Sequence, residues 1–154
     1  MSKKFTQFLP SAVNYDVDNF PFYWITQVHF KYVQNVDHVL KKYGMDNSRR
    51  RILSALFIHP EASVSELSDM LVYKMSTTTK LVYRLKEEGY LETFSCKNDA
   101  RITRVVLSDK GQEILAKIND LMGIILEQTF EGLTPLQIEK MLSNLKKIFK
   151  NLSR

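Results

Sequence analysis

The period of the apolar residues changes once in the middle of this chain, and that change restricts the fold more than any other feature. From Ser63 to Glu88 apolar side chains recur at three- and four-residue steps, as helices require, whereas after Gly89 they alternate, as strands require. The helical part contains two short stripes separated by a break at residues 72–74. The sequence therefore predicts a helix-turn-helix followed by a small β-hairpin.

Capping residues predict where these short elements begin and end. Ser63 and Glu66 have the spacing of a capping box, in which each side chain satisfies one unpaired amide of the first helical turn. Gly89 is typical of the left-handed residue that ends a helix. The tip of the hairpin, residues 96–101, contains no glycine. We therefore expect a longer, mobile loop there and call the hairpin with its loop the wing.

Long helical stripes lie on both sides of this central region. Residues 20–43 form the first stripe, which Gly44 should end, and a shorter helix capped at residues 46–48 should close at residues 59–60. After the wing, Ser108 should cap a helix that reaches about Phe130.

The last helix should begin at Thr134, where Pro135 and Gln137 supply a first-turn proline and the second half of a capping box. Its apolar stripe runs from Ile138 to Leu152. Terminal stripes of this length can be buried only against a surface of matching length, so we expect a second copy of the chain as the partner.

Composition excludes several classes of protein. The chain has 154 residues, 44% hydrophobic and 25% charged, which suits about one compact domain. The single cysteine, Cys96, excludes an intramolecular disulfide and a cysteine-based zinc cage, and it points to a reducing compartment. No apolar stretch approaches the roughly 20 residues that cross a bilayer, and no apolar core of a signal peptide develops near the N-terminus. We expect a soluble cytoplasmic protein without membrane contact.

The positive charge is concentrated in one region. The net charge is +5, and three of these charges fall between Lys74 and Lys110. A localised excess of this kind is more informative than the total, because it is typical of a surface that faces phosphates.

Five motifs follow one another in a specific order: Glu66-Leu67, the polar and apolar residues 76–85, Gly89-Tyr90-Leu91, Asp99-Ala100-Arg101, and Leu107-Ser108-Asp109-Lys110-Gly111. In this order they resemble the MarR family of bacterial winged-helix regulators, from about residue 20 to the C-terminus. The resemblance implies a mainly α fold with a small β-hairpin wing, as one MarR-type domain over residues 1–154. It implies dimerisation helices at 20–43 and 112–152 around a winged-helix DNA-binding lobe at 46–110.

Two segments resemble one branch of the family. Residues 74–80 and the aromatic run at 20–24 look like the branch that controls the breakdown of aromatic acids such as hydroxycinnamates or indole-3-acetate. Lys74 departs from the family pattern, because a serine or threonine usually caps the recognition helix. We therefore expect this helix to begin at Ser76 or to use a DNA phosphate as its cap.

The resemblance implies a symmetric dimer on a pseudo-palindromic operator, with recognition helices in successive major grooves and wings in minor grooves. Hydroxyl and basic side chains at the start of the second helix and on the wing are the candidates for DNA contact. They are Lys74, Ser76, Thr77, Thr79, Lys80, Arg84, Lys97 and Arg101. Asp99 should hold Arg101 through an ion pair. The alternative is a solvated helix face with an ordinary surface arginine.

A regulator needs a signal, and the first two helices supply a candidate site for one. Arg49 and Arg50 precede Leu53 by four and three residues, which places them on or beside the inward stripe, where a guanidinium requires an anion. Aromatic walls beside such a cation would accept a small aromatic carboxylic acid. The predicted ligand contacts are Tyr23, Trp24, His29, Arg49 and Arg50. Alternatively, the arginines form salt bridges across the dimer and the aromatic residues are ordinary core.

Other functions have less support in the sequence. A repressor that senses oxidants through Cys96 is the main alternative, although one basic neighbour lowers a thiol pKa only modestly. The three histidines are scattered, so we predict no metal site and no cofactor. An enzyme is a distant third possibility, because the sequence contains neither a glycine-rich phosphate loop nor a nucleophile elbow.

Overall fold

The fold is mainly helical with one antiparallel hairpin, as predicted. The computed structural model describes residues 5, 8, 15–96 and 99–154. Its elements in chain order are α1 (Pro21–Leu40), α2 (Asn47–Ile58), α3 (Val64–Leu71), α4 (Met75–Glu87), β1 (Leu91–Ser95), β2 (Thr103–Leu107), α5 (Asp109–Thr129) and α6 (Pro135–Leu152). Short 3-10 turns at Val17–Asn19 and Lys41–Tyr43 flank α1.

The connection between α1 and α2 is short and ordered by backbone geometry and a cap. Gly44 has φ +66°, a left-handed conformation that glycine adopts without strain, and it ends the first helical segment as predicted. Asp46 then caps α2, because its carboxylate accepts a 2.8 Å hydrogen bond from the amide of Arg49.

Both ends of α3 are fixed by residues next to it. The predicted capping box is present: the amide of Ser63 donates to the Glu66 carboxylate at 2.6 Å, and the amide of Glu66 donates to the Ser63 hydroxyl at 3.2 Å. At the other end, Val72 takes φ +55°, which is unusual for a β-branched residue and turns the chain sharply. This turn separates the two helices of the helix-turn-helix.

The recognition helix α4 begins one residue earlier than expected. It starts at Met75, with Lys74 in the N-cap position, and no side chain caps its first turn. The expected start at Ser76 is therefore wrong by one residue, because the backbone of Lys74 accepts bonds from the amides of Thr77 and Thr78. A phosphate as the missing cap remains a prediction.

The wing is attached to the beginning of α3. β1 and β2 pair with Leu91 opposite Leu107 and Ser95 opposite Thr103. The amide of Val105 also donates to the carbonyl of Ala62 at 3.1 Å, which ties β2 to the segment before α3. The loop between the strands is longer than a two-residue turn, as predicted, and its residues 97–98 lie outside the described part of the chain.

The last two helices have the predicted caps. The Ser108 hydroxyl accepts a hydrogen bond from the amide of Gly111 at 3.0 Å and donates to the carbonyl of Gly89 at 2.7 Å, so it caps α5 and ties it to the end of the α4 region. Thr134 and Gln137 form a complete capping box at the start of α6.

The chain divides into two compact units, Met1–Leu121 and Met122–Arg154, and the boundary falls within α5. In the first unit the core is formed by fully buried aliphatic side chains from the first four helices, β2 and the start of α5. They include Val36, Leu40, Ile52, Leu53, Leu67, Leu85, Val105 and Ile118.

In the second unit α6 contains no buried residue. Large apolar side chains are exposed along it: Leu136, Met141, Leu142, Leu145, Phe149 and Leu152. No helix in the described part of the chain combines the length and hydropathy needed to span a membrane.

Candidate nucleic-acid interface and effector site

One face of α4 carries the predicted DNA-contacting residues and the opposite face is buried. Thr78, Val82 and Leu85 lie in the core. The predicted contacts on this helix and at its N-cap are all exposed: Lys74, Ser76, Thr77, Thr79, Lys80 and Arg84. The amphipathic pattern therefore presents a hydroxyl-rich and basic surface to solvent.

Two threonines of α4, the buried Thr78 and the predicted contact Thr79, use their hydroxyls within the helix. Thr79 Oγ1 donates to the carbonyl of Met75 at 2.9 Å, and Thr78 Oγ1 donates to the carbonyl of Lys74 at 3.3 Å. A hydroxyl in this state can still accept a hydrogen bond through its free lone pairs. Thr79 therefore has both a methyl group and an acceptor on the exposed face.

The wing carries Arg101 in an ion pair with a carboxylate two residues before it. Arg101 Nε and Nη2 donate to the two carboxylate oxygens of Asp99 at 3.1 and 3.0 Å, and the Arg101 amide also donates to this carboxylate. The predicted ion pair is thus present. The side-chain hydrogen bond from Arg101, followed by the backbone bond, holds the pKa of Asp99 below its usual value. The Arg101 side chain itself is 91% exposed. Lys97, the other predicted wing contact, lies outside the described residues.

A groove joins the recognition helix to the wing. It has a volume of about 540 Å³ and is lined by Ser63, Val64, Ser65, Met75, Thr79, Arg101, Ile102 and Thr103. The structure therefore brings together Thr79 and Arg101, two candidates that are 22 residues apart in the sequence. The beginning of α3 forms the third side of the same groove.

The aromatic residues of α1 are less buried than core residues would be. The rings of Tyr23 and Trp24 meet edge to face with centroids 5.3 Å apart, and Trp24 Nε1 donates to the carbonyl of Asp18 at 2.9 Å. The Trp24 side chain is nevertheless half-exposed. His29 is exposed and its ring lies 5.9 Å from that of Phe30. An aromatic surface is therefore available on this helix.

Arg50 is a half-buried cation whose partners are neutral. Its guanidinium donates to Asn47 Oδ1 at 3.0 and 3.3 Å and to the Tyr32 hydroxyl at 3.4 Å. Among the described residues, no carboxylate lies within salt-bridge distance of Arg50. A guanidinium in this state has its hydrogen-bonding capacity partly met and its charge unpaired.

Arg49, the other predicted cation, is differently placed. It is almost fully buried, and each of its three guanidinium nitrogens has a partner: Nε donates to Asp46 at 2.9 Å, Nη1 to both oxygens of Glu88, and Nη2 to the carbonyl of Gly44. The anion that its burial requires is supplied within the chain. Of the two predicted cations, Arg50 is therefore the better placed to meet an added carboxylate.

A third arginine, Arg51, holds the turn before the recognition helix. Its Nη1 donates to the Tyr73 hydroxyl at 2.9 Å, its Nη2 donates to the carbonyl of Leu71 at 2.9 Å, and its guanidinium lies 4.7 Å from the centroid of the Tyr73 ring. No sequence pattern marked this residue as functional. The contact fixes the turn from the side of α2.

The predicted effector residues are only partly brought together. Within the described residues no hydrogen bond or ring contact joins Arg50 to Tyr23, Trp24 or His29; the α1 residue that reaches it is Tyr32. Neither partner of Arg50, Asn47 or Tyr32, was predicted from the sequence. Asn47 could have been found from its three-residue spacing on the same helix, whereas Tyr32 could not.

The structure gives less support to Cys96 or to a metal centre as a functional site. Cys96 is half-buried at the end of β1, where its amide donates to the carbonyl of Ile102 at 2.8 Å. In the described part of the chain, no three histidine, cysteine, aspartate or glutamate side chains are close enough to hold a metal ion together.

Comparison with known proteins agrees with this arrangement. The model of the MarR family matches residues 47–103, which cover α2 through the start of β2. The HTH-type transcriptional repressor IacR of Pseudomonas putida is 35% identical over 143 residues, covering 93% of this chain and 86% of that protein.

Two solved structures are similar in fold. The MarR protein from Peptoclostridium difficile has a TM-score of 0.81 at 22% identity, over 94% of this chain and 92% of that one. A mutant MarR from E. coli complexed with operator DNA has a TM-score of 0.79 at 20% identity, over 96% of this chain and 99% of that one. The extent of the similarity to IacR, together with the matched family model, shows that this chain belongs to the MarR family of winged-helix regulators.

Proposed function

We propose that the chain is a DNA-binding transcriptional repressor that acts as a homodimer and leaves its operator when a small aromatic carboxylic acid binds. The observation that carries the DNA-binding part is the exposed face of α4 and its shared groove with Arg101. The similarity to a transcriptional repressor and to a protein solved with operator DNA supports it. Such a regulator works in the cytoplasm, where its DNA is located.

The dimensions of α4 suit the major groove. A helix with its side chains is about 10–12 Å across, and the major groove of B-DNA is about 12 Å wide. Ser76, Thr77 and Thr79 are short enough to reach base edges, whereas Lys80 and Arg84 reach phosphates. Arg101 then extends toward the adjacent minor groove, where a narrow groove attracts a guanidinium.

The dimer follows from the apolar surfaces that the chain leaves exposed. The α6 side chains Leu142, Leu145 and Phe149 are 39–63% exposed, although an apolar stripe of this kind is typical of a helix that packs against another surface. A two-fold dimer would cover this surface with its own copy and place two recognition helices about 34 Å apart. Such a dimer reads a pseudo-palindromic operator.

The effector part rests on Arg50. A carboxylate would replace neutral acceptors with a charged, bidentate partner, which is the stronger of the two kinds of hydrogen bond to a guanidinium. Val28 and Trp24 lie one and two helical turns from Tyr32 on the same side of α1, about 6 and 12 Å along the axis. Both are at least half-exposed. They offer an apolar wall to the ring of an aromatic acid.

The DNA-binding part is tested by selecting duplexes that bind the purified chain from a random-sequence library. We expect a pseudo-palindrome with half-sites about one helical turn apart. Fluorescence anisotropy with the selected duplex then gives the affinity and its salt dependence. A wild-type chain that retains no duplex at low salt would contradict the proposal.

The effector part is tested by a thermal-shift screen of aromatic carboxylic acids, because a ligand that binds only the folded state raises the melting temperature. For the best hit, calorimetry is repeated with Arg50→Ala and with Lys31→Ala, an exposed cation on α1, as the matched control. Arg50→Ala should keep its operator affinity and lose the effector response. Lys31→Ala and Trp24→Ala should both keep more of the effector response than Arg50→Ala does. Full effector affinity in Arg50→Ala would remove the carboxylate contact from the proposal.

The same experiments separate the repressor with an acid effector from an oxidant sensor. Cys96→Ser should respond normally to the acid and bind the operator with wild-type affinity. Release of the wild-type chain from DNA by peroxide, lost in Cys96→Ser, would instead support control through the thiol.

A further inference from the structure

The carboxylate of Glu88 accepts hydrogen bonds from two arginines that belong to different helices. Arg49 Nη1 donates to both of its oxygens, at 2.8 and 3.0 Å, and Arg84 Nε donates to Oε1 at 3.0 Å. Arg49 comes from α2 in the core, whereas Arg84 lies on α4 among the proposed DNA contacts. A single side chain therefore links the interior of the lobe to its DNA-facing surface.

The inner half of this link is rigid. Arg49 is 5% exposed, and it is held by Asp46, by the carbonyl of Gly44 and by Glu88. A buried guanidinium with all three nitrogens engaged has little freedom to change rotamer. Glu88 is thus fixed in place before Arg84 binds to it.

The contact between Glu88 and Arg84 leaves the terminal nitrogens of the Arg84 guanidinium available. Its side chain is 61% exposed. Only Nε is used, and within the described residues its two terminal nitrogens make no hydrogen bond. Those two nitrogens form the end of the guanidinium, which can donate two parallel hydrogen bonds end-on to a phosphate.

We infer that Glu88 is a positioning residue for DNA binding: anchored by Arg49, it holds Arg84 in the rotamer that presents both terminal nitrogens to a phosphate. The inference rests on the proposed function, because it assigns the orientation of one of the proposed DNA contacts. An exposed arginine without such an anchor would lose rotamer freedom on binding DNA, and that loss weakens the complex.

A double-mutant cycle on operator affinity tests the inference, with Glu88→Gln, Arg84→Ala and the double variant. Removing an acidic residue close to DNA also strengthens DNA binding through the net charge. Glu87→Gln is therefore the matched control, because Glu87 is exposed on α4 and makes no ion pair among the described residues. Relative to Glu87→Gln, we expect Glu88→Gln to weaken operator binding by about three- to tenfold.

In the Arg84→Ala background, this difference between Glu88→Gln and Glu87→Gln should disappear, because no guanidinium is left to position. A purely structural role for Glu88 would persist in that background, and an equal effect in both backgrounds would overturn the inference. Melting temperatures measured alongside show whether each variant is folded.

A second variant keeps the test usable if Glu88→Gln does not fold. Glu88→Asp preserves the charge, so it needs no correction for net charge, and it draws the carboxylate back from Arg84 by one methylene. It should weaken operator binding in the wild-type background and leave it unchanged in Arg84→Ala. A wild-type chain that binds no duplex would contradict the proposed function, whereas an additive cycle in a chain that binds its operator would contradict this inference alone.

Discussion

Gly111, in the first turn of α5, lies directly against the backbone carbonyl of Tyr90. A Cβ on Gly111 would overlap that oxygen and would lie 3.5 Å from Cδ2 of Leu107. The amide of Ser108 donates to the same carbonyl at 3.1 Å. The close packing of α5 on the start of β1 therefore explains why a glycine follows Ser108 by three residues.

Replacing Gly111 by alanine should lower the free energy of unfolding by about 1–3 kcal/mol, because backbone atoms cannot move aside as a flexible side chain can. Gly123 is the matched control on the same helix, since nothing lies within 4 Å of a Cβ placed there. Gly123→Ala should raise the free energy of unfolding by up to about 1 kcal/mol. Urea denaturation at a fixed protein concentration measures both, and equal changes in the two variants would contradict the packing argument.

The stability contributed by Glu66 should depend on pH. Hydrogen bonds from Ser63, the backbone one first and then the side-chain one, hold the pKa of this carboxyl below its ordinary value of 4.5. Burial opposes them with a smaller effect, and the nearby Arg104 lowers the pKa by less still. A group whose pKa is lowered on folding stabilises the protein above its unfolded pKa and stops doing so as the pH falls through the folded value.

Glu66→Gln should therefore reduce the free energy of unfolding by about 0.5–1 kcal/mol at pH 7. The difference from wild type should shrink below about pH 4.5 and vanish once Glu66 is protonated in the folded state. Asp69→Asn, on the same helix, serves as the control, and its free energy of unfolding at pH 7 should stay close to that of the wild type. A difference that stays constant down to pH 3 would contradict the prediction.

Helix ends could be predicted from the sequence because their causes are local. The capping boxes at Ser63 and Thr134 and the left-handed Gly44 depend on residues no more than four positions away. The change of period after Gly89 likewise predicted the wing. The exception, the start of α4 at Met75, occurs where the cap is made by the backbone of Lys74 and no side chain marks it.

The contacts inside the site could not be predicted, because they join distant parts of the chain. Arg49 was correctly placed on the inward side of α2, but its partner Glu88 is 39 residues away. Choosing between Arg49 and Arg50 depended on knowing which of them already had an anion. Helical spacing gives the direction of a side chain and does not reveal what it meets.

The apolar face of α6 should be required for dimerisation. Replacing Leu145 and Phe149 with aspartate places two charges on this face, so the dimer and operator binding should be lost together. Ser143→Asp adds a charge to the same helix on the side opposite to these residues and should leave the dimer intact. Sedimentation velocity distinguishes the species, and a double variant that remains dimeric would show that α6 is not the interface.

Thr79 and Lys80 should affect operator binding in different ways. Truncating Thr79 to alanine should relax the sequence preference, since its hydroxyl and methyl are expected to read base edges. Lys80→Ala should weaken binding to all sequences similarly and reduce the slope of log affinity against log salt by about one. Competition binding with operator variants at several salt concentrations separates the two effects. Unchanged affinity and preference in both variants would contradict the assignment of α4.

Arg49, Arg50 and Arg51 are identical in chemistry and consecutive in sequence, yet successive helical positions point about 100° apart, so each meets a different part of the lobe. One is anchored to the end of α4, one faces α1, and one holds the turn before α4. An alignment with a relative that slips by one residue here would still match arginine to arginine at two of the three positions while exchanging their roles. Sequence identity at these positions is therefore a poor guide to shared effector chemistry, and relatives should be matched by the partner of each arginine.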